Sequence, residues 1–274
     1  MKRTLGDFAV VSGGTLYGVD RVFADVCSDT RNLQPGELFV ALRGPRFDAK
    51  QFISNAAAAG AVGAVVEARQ DADLAQIVVP DSLAALTTAA SVWRGQFHLP
   101  VVGVAGSNGK TTVKEMTAAI LGHAGACLAT RGNLNNHIGV PLTLLRLAAE
   151  HRFAVIEVGA NRAGEVAELV RIVRPTVGLI TNAGAEHLEG FGSLDGVARA
   201  EGEMVAGLDA SSVAVINADD AFCDLWRGMT AAQVVSFGID AFADFTAEDL
   251  RTEIDDGGFR TRYTLRSPAG RAPI

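Results

Sequence analysis

The chain changes its hydrophobic rhythm near residue 100. Before that point short apolar runs alternate with helical ones: residues 37–42 predict a strand, 52–59 a helix, and 64–66 and 76–79 two further strands. Such alternation predicts a small α/β unit over residues 1–80. Pro80-Asp81-Ser82 interrupts the pattern, and residues 82–97 carry helical periodicity with Asp81 or Ser82 as N-cap, so a helix over 81–99 is expected to link two domains.

From Pro100 the segments lengthen into βα repeats. Strands are predicted at 101–105, 154–158, 177–181 and 212–217, with helices at 112–122, 165–173 and 196–204 between them. Strands that read as unbroken apolar runs between helices imply a parallel sheet covered on both faces. The expected fold is therefore α/β: a small N-terminal α/β domain, then a P-loop-type central domain over 100–274 with a mostly parallel sheet flanked by helices. The tail turns to β character, and residues 252–254 and 260–265 around Asp255-Asp256-Gly257-Gly258 predict a β-hairpin extension. After Ser267-Pro268-Ala269-Gly270 a new segment begins, and Ile274 leaves it short of a full strand, as if the chain were cut.

Composition narrows the class. At 274 residues and 49% hydrophobic, the chain can build two cores. It has no uncharged apolar run long enough to span a bilayer, and its first residues lack the apolar core of a signal peptide, so a cytoplasmic protein without membrane insertion is expected. Cys27, Cys127 and Cys223 have neither metal-ligand spacing nor the pattern of a disulfide framework, and each reads as a small buried hydrophobe. A net charge of −7 argues against generic nucleic-acid binding, which needs clustered Lys and Arg. Any anionic ligand must be held locally, by loops and helix ends.

One segment fits that requirement. Residues 101–112 read as an apolar strand, a glycine loop and the start of a helix, the order a phosphate-binding loop needs. Glycines let backbone N–H groups turn inward, the helix N-terminus adds its dipole, Lys110 reaches the β- and γ-phosphates, and the Thr111 hydroxyl is a magnesium ligand. The strict pattern would place glycine at 104, where this chain has Val104. The bland alternative is a glycine turn capping a helix beside a surface lysine.

The variant Gly106-Ser107-Asn108-Gly109-Lys110-Thr111-Thr112 resembles the nucleotide loop of the Mur ligases and their folylpolyglutamate synthetase relatives, although family members usually have Thr or Ser where Ala105 stands. The resemblance implies ATP bound by Ala105, Gly106, Ser107, Asn108, Gly109, Lys110 and Thr111. Other segments resemble the family in the same order. Residues 130–144 look like its glycine-asparagine loop, which implies that Asn135 and Asn136 orient the substrate. Glu157, ending an apolar strand, is similar to the family's Mg²⁺-binding glutamate, and His187 to the histidine that helps hold a second magnesium. Lys110, Glu157 and His187 are thus the expected catalytic groups, and Thr111, Glu157, His187 and Glu201 the expected metal set. Magnesium prefers oxygen, so His187 also fits a role through water.

Glu201 enters that set by position. Aligning residues 197–204 with the family helix that carries a carbamylated lysine puts Glu201 at the lysine, while Glu203 is the other carboxylate that fits. Ser28-Asp29-Thr30-Arg31, residues 36–44 and Phe47-Asp48 resemble the family's UDP-binding domain, implying substrate contacts from Ser28, Arg31 and Gly44. Where the family continues Phe-Asp-Gly-His, this chain has Ala49-Lys50.

The spelling of residues 186–194 most resembles the member that joins D-alanyl-D-alanine to UDP-N-acetylmuramoyl-tripeptide through an acyl phosphate in peptidoglycan synthesis. That resemblance implies a monomeric ligase using ATP and Mg²⁺. It also implies a C-terminal domain beyond residue 274, without which the chain alone is expected to be inactive. Three other readings stay open: the ligase adding diaminopimelate or lysine, a P-loop kinase or GTPase, and a non-catalytic nucleotide-binding fragment. The kinase or GTPase reading explains Lys110 and Thr111 but not the N-terminal unit.

Overall fold

A computed structural model describes residues 2–44, 47–255 and 258–274, with the side chains of Phe47, Asp48, Asp255 and Phe259 outside the description. Asp256 and Gly257, the centre of the expected hairpin turn, also lie outside the described residues. The chain divides into two units, residues 1–99 with 125–153, and residues 100–124 with 154–274.

The first unit is built on a mixed sheet in the order Thr15–Tyr17, Gln76–Val78, Gly63–Val66, Leu38–Val40, Val26–Cys27. Only the first pairing is antiparallel. Its core gathers Leu33, Phe39, Ile53, Ala56 and Val66. The helix expected to link two domains runs Ser82–Arg94 and packs within this unit against Leu5–Ser12 and Gly139–Leu145. Its start follows the expectation, since the Asp81 carboxylate accepts from Leu83 N (2.8 Å) and Ala84 N (2.9 Å).

The second unit contributes five parallel strands in the order Gln233–Phe237, Val213–Asn217, Val177–Ile180, Val101–Ala105, Phe153–Glu157. The central strands Val101–Ala105 and Phe153–Glu157 are apolar because both their faces are covered, and Val101, Val104, Ala154, Val155 and Ile156 are fully buried, whereas burial alternates along Val177–Ile180 and Val213–Asn217. Three antiparallel strands, Thr246–Asp255, Gly258–Ser267 and Gly270–Pro273, form the β extension. The fold is α/β as the patterning predicts.

Three helices pack on one another beside the parallel sheet: Glu165–Val173, Leu194–Ala206 and Cys223–Met229. Ser193 caps the middle one, its hydroxyl accepting from Gly196 N at 3.1 Å. Trp226, wholly buried, donates its indole N–H to Ala198 O at 2.8 Å.

Glu203 ties two of these helices together. Gly164, at the N-cap of Glu165–Val173, has no side chain with which to cap the helix. The Glu203 carboxylate does so from the neighbouring helix, accepting from Gly164 N (2.8 Å) and Ala167 N (2.9 Å). A negative group on the first-turn amides also complements the helix dipole. Glu203→Ala is therefore expected to destabilise the protein by about 1–2 kcal/mol, as other cap deletions do. Equal urea unfolding curves for the variant and the wild type would contradict this role.

Candidate functional site

In a sheet whose strands all run the same way, the loops leaving the C-terminal strand ends converge on one edge. The loop after Val101–Ala105 lies there. Its conformation begins with Gly106, at φ +117°, where an added Cβ would lie 2.2 Å from the Thr181 hydroxyl oxygen. Only glycine fits the close approach of this loop to Thr181.

The loop is held by acceptors from two other segments. Gly106 N donates to the Glu201 carboxylate at 2.6 Å, Ser107 N to Asn182 O at 2.8 Å, and Asn108 N to Asn182 Oδ1 at 3.1 Å. Asn182 Nδ2 returns a bond to Asn108 O at 3.0 Å, and the Ser107 hydroxyl accepts from Gly184 N at 2.8 Å. The amides of Gly109, Lys110 and Thr111, at the start of the Lys110–Gly122 helix, have no acceptor among the described residues. They are the free N-terminal donors that favour an anion.

Lys110 turns back over the loop. Its ammonium donates to Gly106 O, to Ser107 O at 2.7 Å, and to Glu186 Oε1 at 3.4 Å. Thr111 Oγ1 donates to Glu157 Oε2 at 2.9 Å, and Glu157, at the end of its strand, is 1% exposed. A hydroxyl and a carboxylate in contact are hard oxygen donors, the type magnesium takes. Thr111 and Glu157 thus fit the implied ion.

The remaining residues expected at this site are placed differently. Ala105 lies inside the strand, buried, with its carbonyl accepting from Thr181 N at 3.0 Å. His187 follows the next strand, is exposed, and takes the left-handed backbone conformation (φ 48°) at the start of a short helix. Such a conformation costs a non-glycine residue about 1 kcal/mol or more. It borders a concavity with Asn161, Leu188 and Glu189. Among the described residues, no three His, Cys, Asp or Glu side chains are grouped as a metal site.

Glu201 sits beneath the loop, 2% exposed. Burial is the dominant influence and pushes its carboxyl up to about 7, against the opposing pull of the Gly106 N–H and Lys110, while Glu186 and Glu203 push the same way as burial. Alignment with the family's lysine places Glu201 in the metal set, whereas its hydrogen-bond partner Gly106 lies 95 residues away in the sequence. No local signal reports such a contact.

In the first unit, a cavity of about 660 Å³ is lined by Ser28, Arg31 and Gly44, three of the residues expected to contact substrate. Asp29 holds the Ser-Asp-Thr-Arg turn, accepting from Arg31 N at 3.0 Å and from the guanidinium at 2.6 Å. Arg31 holds its partner's carboxyl below the usual carboxylate range. The pair is exposed to solvent, which screens it, so it holds the turn only weakly. Of the apolar walls, Phe39, Leu42 and Ile138 fall in segments that resemble the family, whereas Phe52 and Leu83 lie in no motif. Asn135 and Asn136 belong to this unit, where Asn136 Oδ1 accepts from Ile138 N (3.0 Å) and Gly139 N (2.9 Å) and so starts the Gly139–Leu145 helix.

The buried carboxyl has a consequence for stability. Folding raises Glu201 from about 4.5 to about 7, so its contribution is most favourable below about pH 4.5 and is lost as pH rises through 7. A shift of this size corresponds to about 3 kcal/mol. Relative to Glu201→Gln, wild type should lose about that much unfolding free energy between pH 4.5 and 8. Parallel pH profiles in urea for the two proteins would contradict it.

Residues 104–269 match the family described as the Mur ligase middle domain. The chain is 45% identical to the UDP-N-acetylmuramoyl-tripeptide–D-alanyl-D-alanine ligase of Escherichia coli over 99% of its length and 60% of that protein's. A crystal structure of MurF from Acinetobacter baumannii superposes with a TM-score of 0.88 at 35% identity, covering 98% of this chain and 59% of the other. The MurF ligase of Thermotoga maritima, solved in complex with ADP, gives a TM-score of 0.76 at 28% identity, covering 91% and 57%. The chain thus spans about 60% of the length of these relatives. No helix among the described residues is long and apolar enough to cross a membrane.

Proposed function

Because the chain belongs to the Mur ligase family, we propose that it carries the nucleotide- and UDP-substrate-binding parts of a cytoplasmic ligase that joins D-alanyl-D-alanine to UDP-N-acetylmuramoyl-tripeptide in peptidoglycan synthesis. The observation that carries the reading is the loop 106–111, with free helix-terminal amides, Lys110 over its carbonyls and the Thr111–Glu157 pair beside it. The ADP complex of the Thermotoga maritima relative supports ATP as the nucleotide.

In this reading the tripeptide's terminal carboxylate attacks the γ-phosphorus of ATP, forming an acyl phosphate and releasing ADP. The amine of D-alanyl-D-alanine then attacks the acyl carbon, and inorganic phosphate leaves. Both steps crowd negative charge, so positioning and charge stabilisation are the main services the protein supplies. The amides of Gly109, Lys110 and Thr111 receive phosphate oxygens, and the Lys110 ammonium exchanges its carbonyl partners for the β- and γ-phosphates. Thr111 and Glu157 would hold Mg²⁺, with His187 contributing directly or through water, and the ion would offset phosphate charge. Ser28, Arg31 and Gly44 take the UDP moiety in the first unit's cavity, which lies in the size range of small-molecule sites. The Asn135 and Asn136 amides orient the remainder of the substrate.

Lys110→Ala should lower ADP affinity of this chain by about tenfold or more, the loss of a charge-assisted contact, with the fold intact. Calorimetry giving equal affinities would remove the loop from the site. Separately, UDP should shift the NMR signals of Ser28, Arg31 and Gly44, and Arg31→Ala should weaken that binding by about threefold to tenfold. Shifts confined to the second unit would place the UDP site elsewhere. Turnover is tested on a protein extended to its relatives' length: phosphate release from ATP should require both the UDP-tripeptide and D-alanyl-D-alanine.

A further inference from the structure

The acidic group under the nucleotide loop has a geometry of its own. Glu201 is 2% exposed, and its Oε2 receives the Gly106 N–H at 2.6 Å, the short distance of a charge-assisted bond. Gly106 is also the point where the strand turns into the loop, and its position against Thr181 admits no side chain. The next two amides, of Ser107 and Asn108, are held by Asn182. Three successive N–H groups therefore have fixed acceptors inside the protein, and the three that follow, at the helix start, are the free ones.

We propose that Glu201 is a positioning residue of the nucleotide loop, acting as the acceptor that fixes the Gly106 amide and thereby aims the amides of Gly109, Lys110 and Thr111, and that it is not a metal ligand. The inference rests on reading residues 106–111 as the nucleotide loop. Its logic is a division of donors. A loop whose every amide pointed at ligand would have no internal bonds to hold its shape before ligand arrived. A loop whose first amides are tied down meets the phosphates with its last amides already aimed, and less ordering is left for the binding step.

The groups facing Glu201 agree with this role. Lys110 attracts its carboxylate, while Glu186 and Glu203 repel it. Glu203 is turned to the first turn of the Glu165–Val173 helix and leaves the Gly106 amide to Glu201 alone. An acceptor oxygen is what fixing the Gly106 N–H requires, and a glutamine carbonyl still supplies one, in a longer and weaker bond. A metal ligand, by contrast, needs the charge.

The test compares Glu201→Gln, which keeps an acceptor, with Glu201→Leu, which removes it, using ADP as the probe on the whole chain with and without Mg²⁺. Glu201→Leu should weaken ADP binding about tenfold in both conditions, the loss of one well-made hydrogen bond's worth of aim, whereas Glu201→Gln should stay within about twofold of wild type. The Mg²⁺ concentration for half-maximal effect should be the same in all three proteins. Variants that bind ADP normally without Mg²⁺ but require more Mg²⁺ would overturn the proposal in favour of a metal role, and Glu201→Gln as weak as Glu201→Leu would overturn the acceptor role. The amide proton of Gly106 provides a readout independent of nucleotide. It should resonate downfield in wild type, move only modestly in Glu201→Gln, and move far upfield in Glu201→Leu. If Glu201→Leu does not fold, hydrogen exchange decides between the other two proteins: Gly106 should be protected in both, and loss of protection in Glu201→Gln would overturn the proposal. Absence of ADP binding by wild type, with Gly106 behaving as expected, would instead count against the nucleotide reading and leave the acceptor role standing.

Discussion

The second unit is governed by the burial of its two central parallel strands, Val101–Ala105 and Phe153–Glu157, on both faces. A strand so covered has no solvent along its length, and polar side chains are admitted at its ends or where a partner waits for them. Glu157 and Asn217 stand at strand ends, and the loops that follow carry Ser107, Asn108, Lys110, Asn182 and Glu186. The polar chemistry is collected on one edge because the hydrophobic demand of the strands leaves it nowhere else. Asn217 is part of the same economy of position, donating its side-chain amide to Thr181 O at 2.9 Å and so bracing the segment that braces the loop.

Parts of this arrangement are written locally and parts are not. The strand, glycine loop and helix around Lys110 are legible because each step uses neighbouring residues: an apolar run, a glycine that must turn, and a helix start. Glu157 is legible for the same reason, as a carboxylate closing an apolar run. Glu201 and Glu203 stand two residues apart on one helix, and nothing in their spelling distinguishes them. One reaches the loop amide and the other a neighbouring helix end, a difference created by the packing of Leu194–Ala206 against Glu165–Val173.

The first unit gives the same lesson in its cavity. The turn at Ser28–Arg31 announces itself through Asp29, whose side chain bonds a backbone two residues on. The apolar walls come from scattered segments, and Phe39 or Leu83 alone looks like any core residue. The Leu5–Ser12 helix has little local signal along its length, since Gly6, Val10 and Val11 are weak helix formers. Its signals are at its ends: Thr4 accepts from Asp7 N at 3.1 Å, and Gly13 closes the helix in the left-handed conformation. The Gln233–Phe237 strand, absent from the strands that the pattern predicts, has only the β-branched pair Val234-Val235 to mark it, against the longer apolar run of its neighbour Val213–Asn217.

Lys110 lies across the carbonyls of Gly106 and Ser107, so the loop's positive charge is already solvated by the protein itself. A visiting molecule is judged against that internal solvation shell. With Glu186 Oε1 a looser third partner at 3.4 Å, an anion that approaches closely offers the ammonium a better shell than the two neutral carbonyls do. A cation or an apolar group offers nothing in exchange and meets a lysine already at rest. A loop built this way sorts by charge before any shape is read, and a compound designed to block it must first outbid two peptide oxygens and the Glu186 carboxylate for one ammonium.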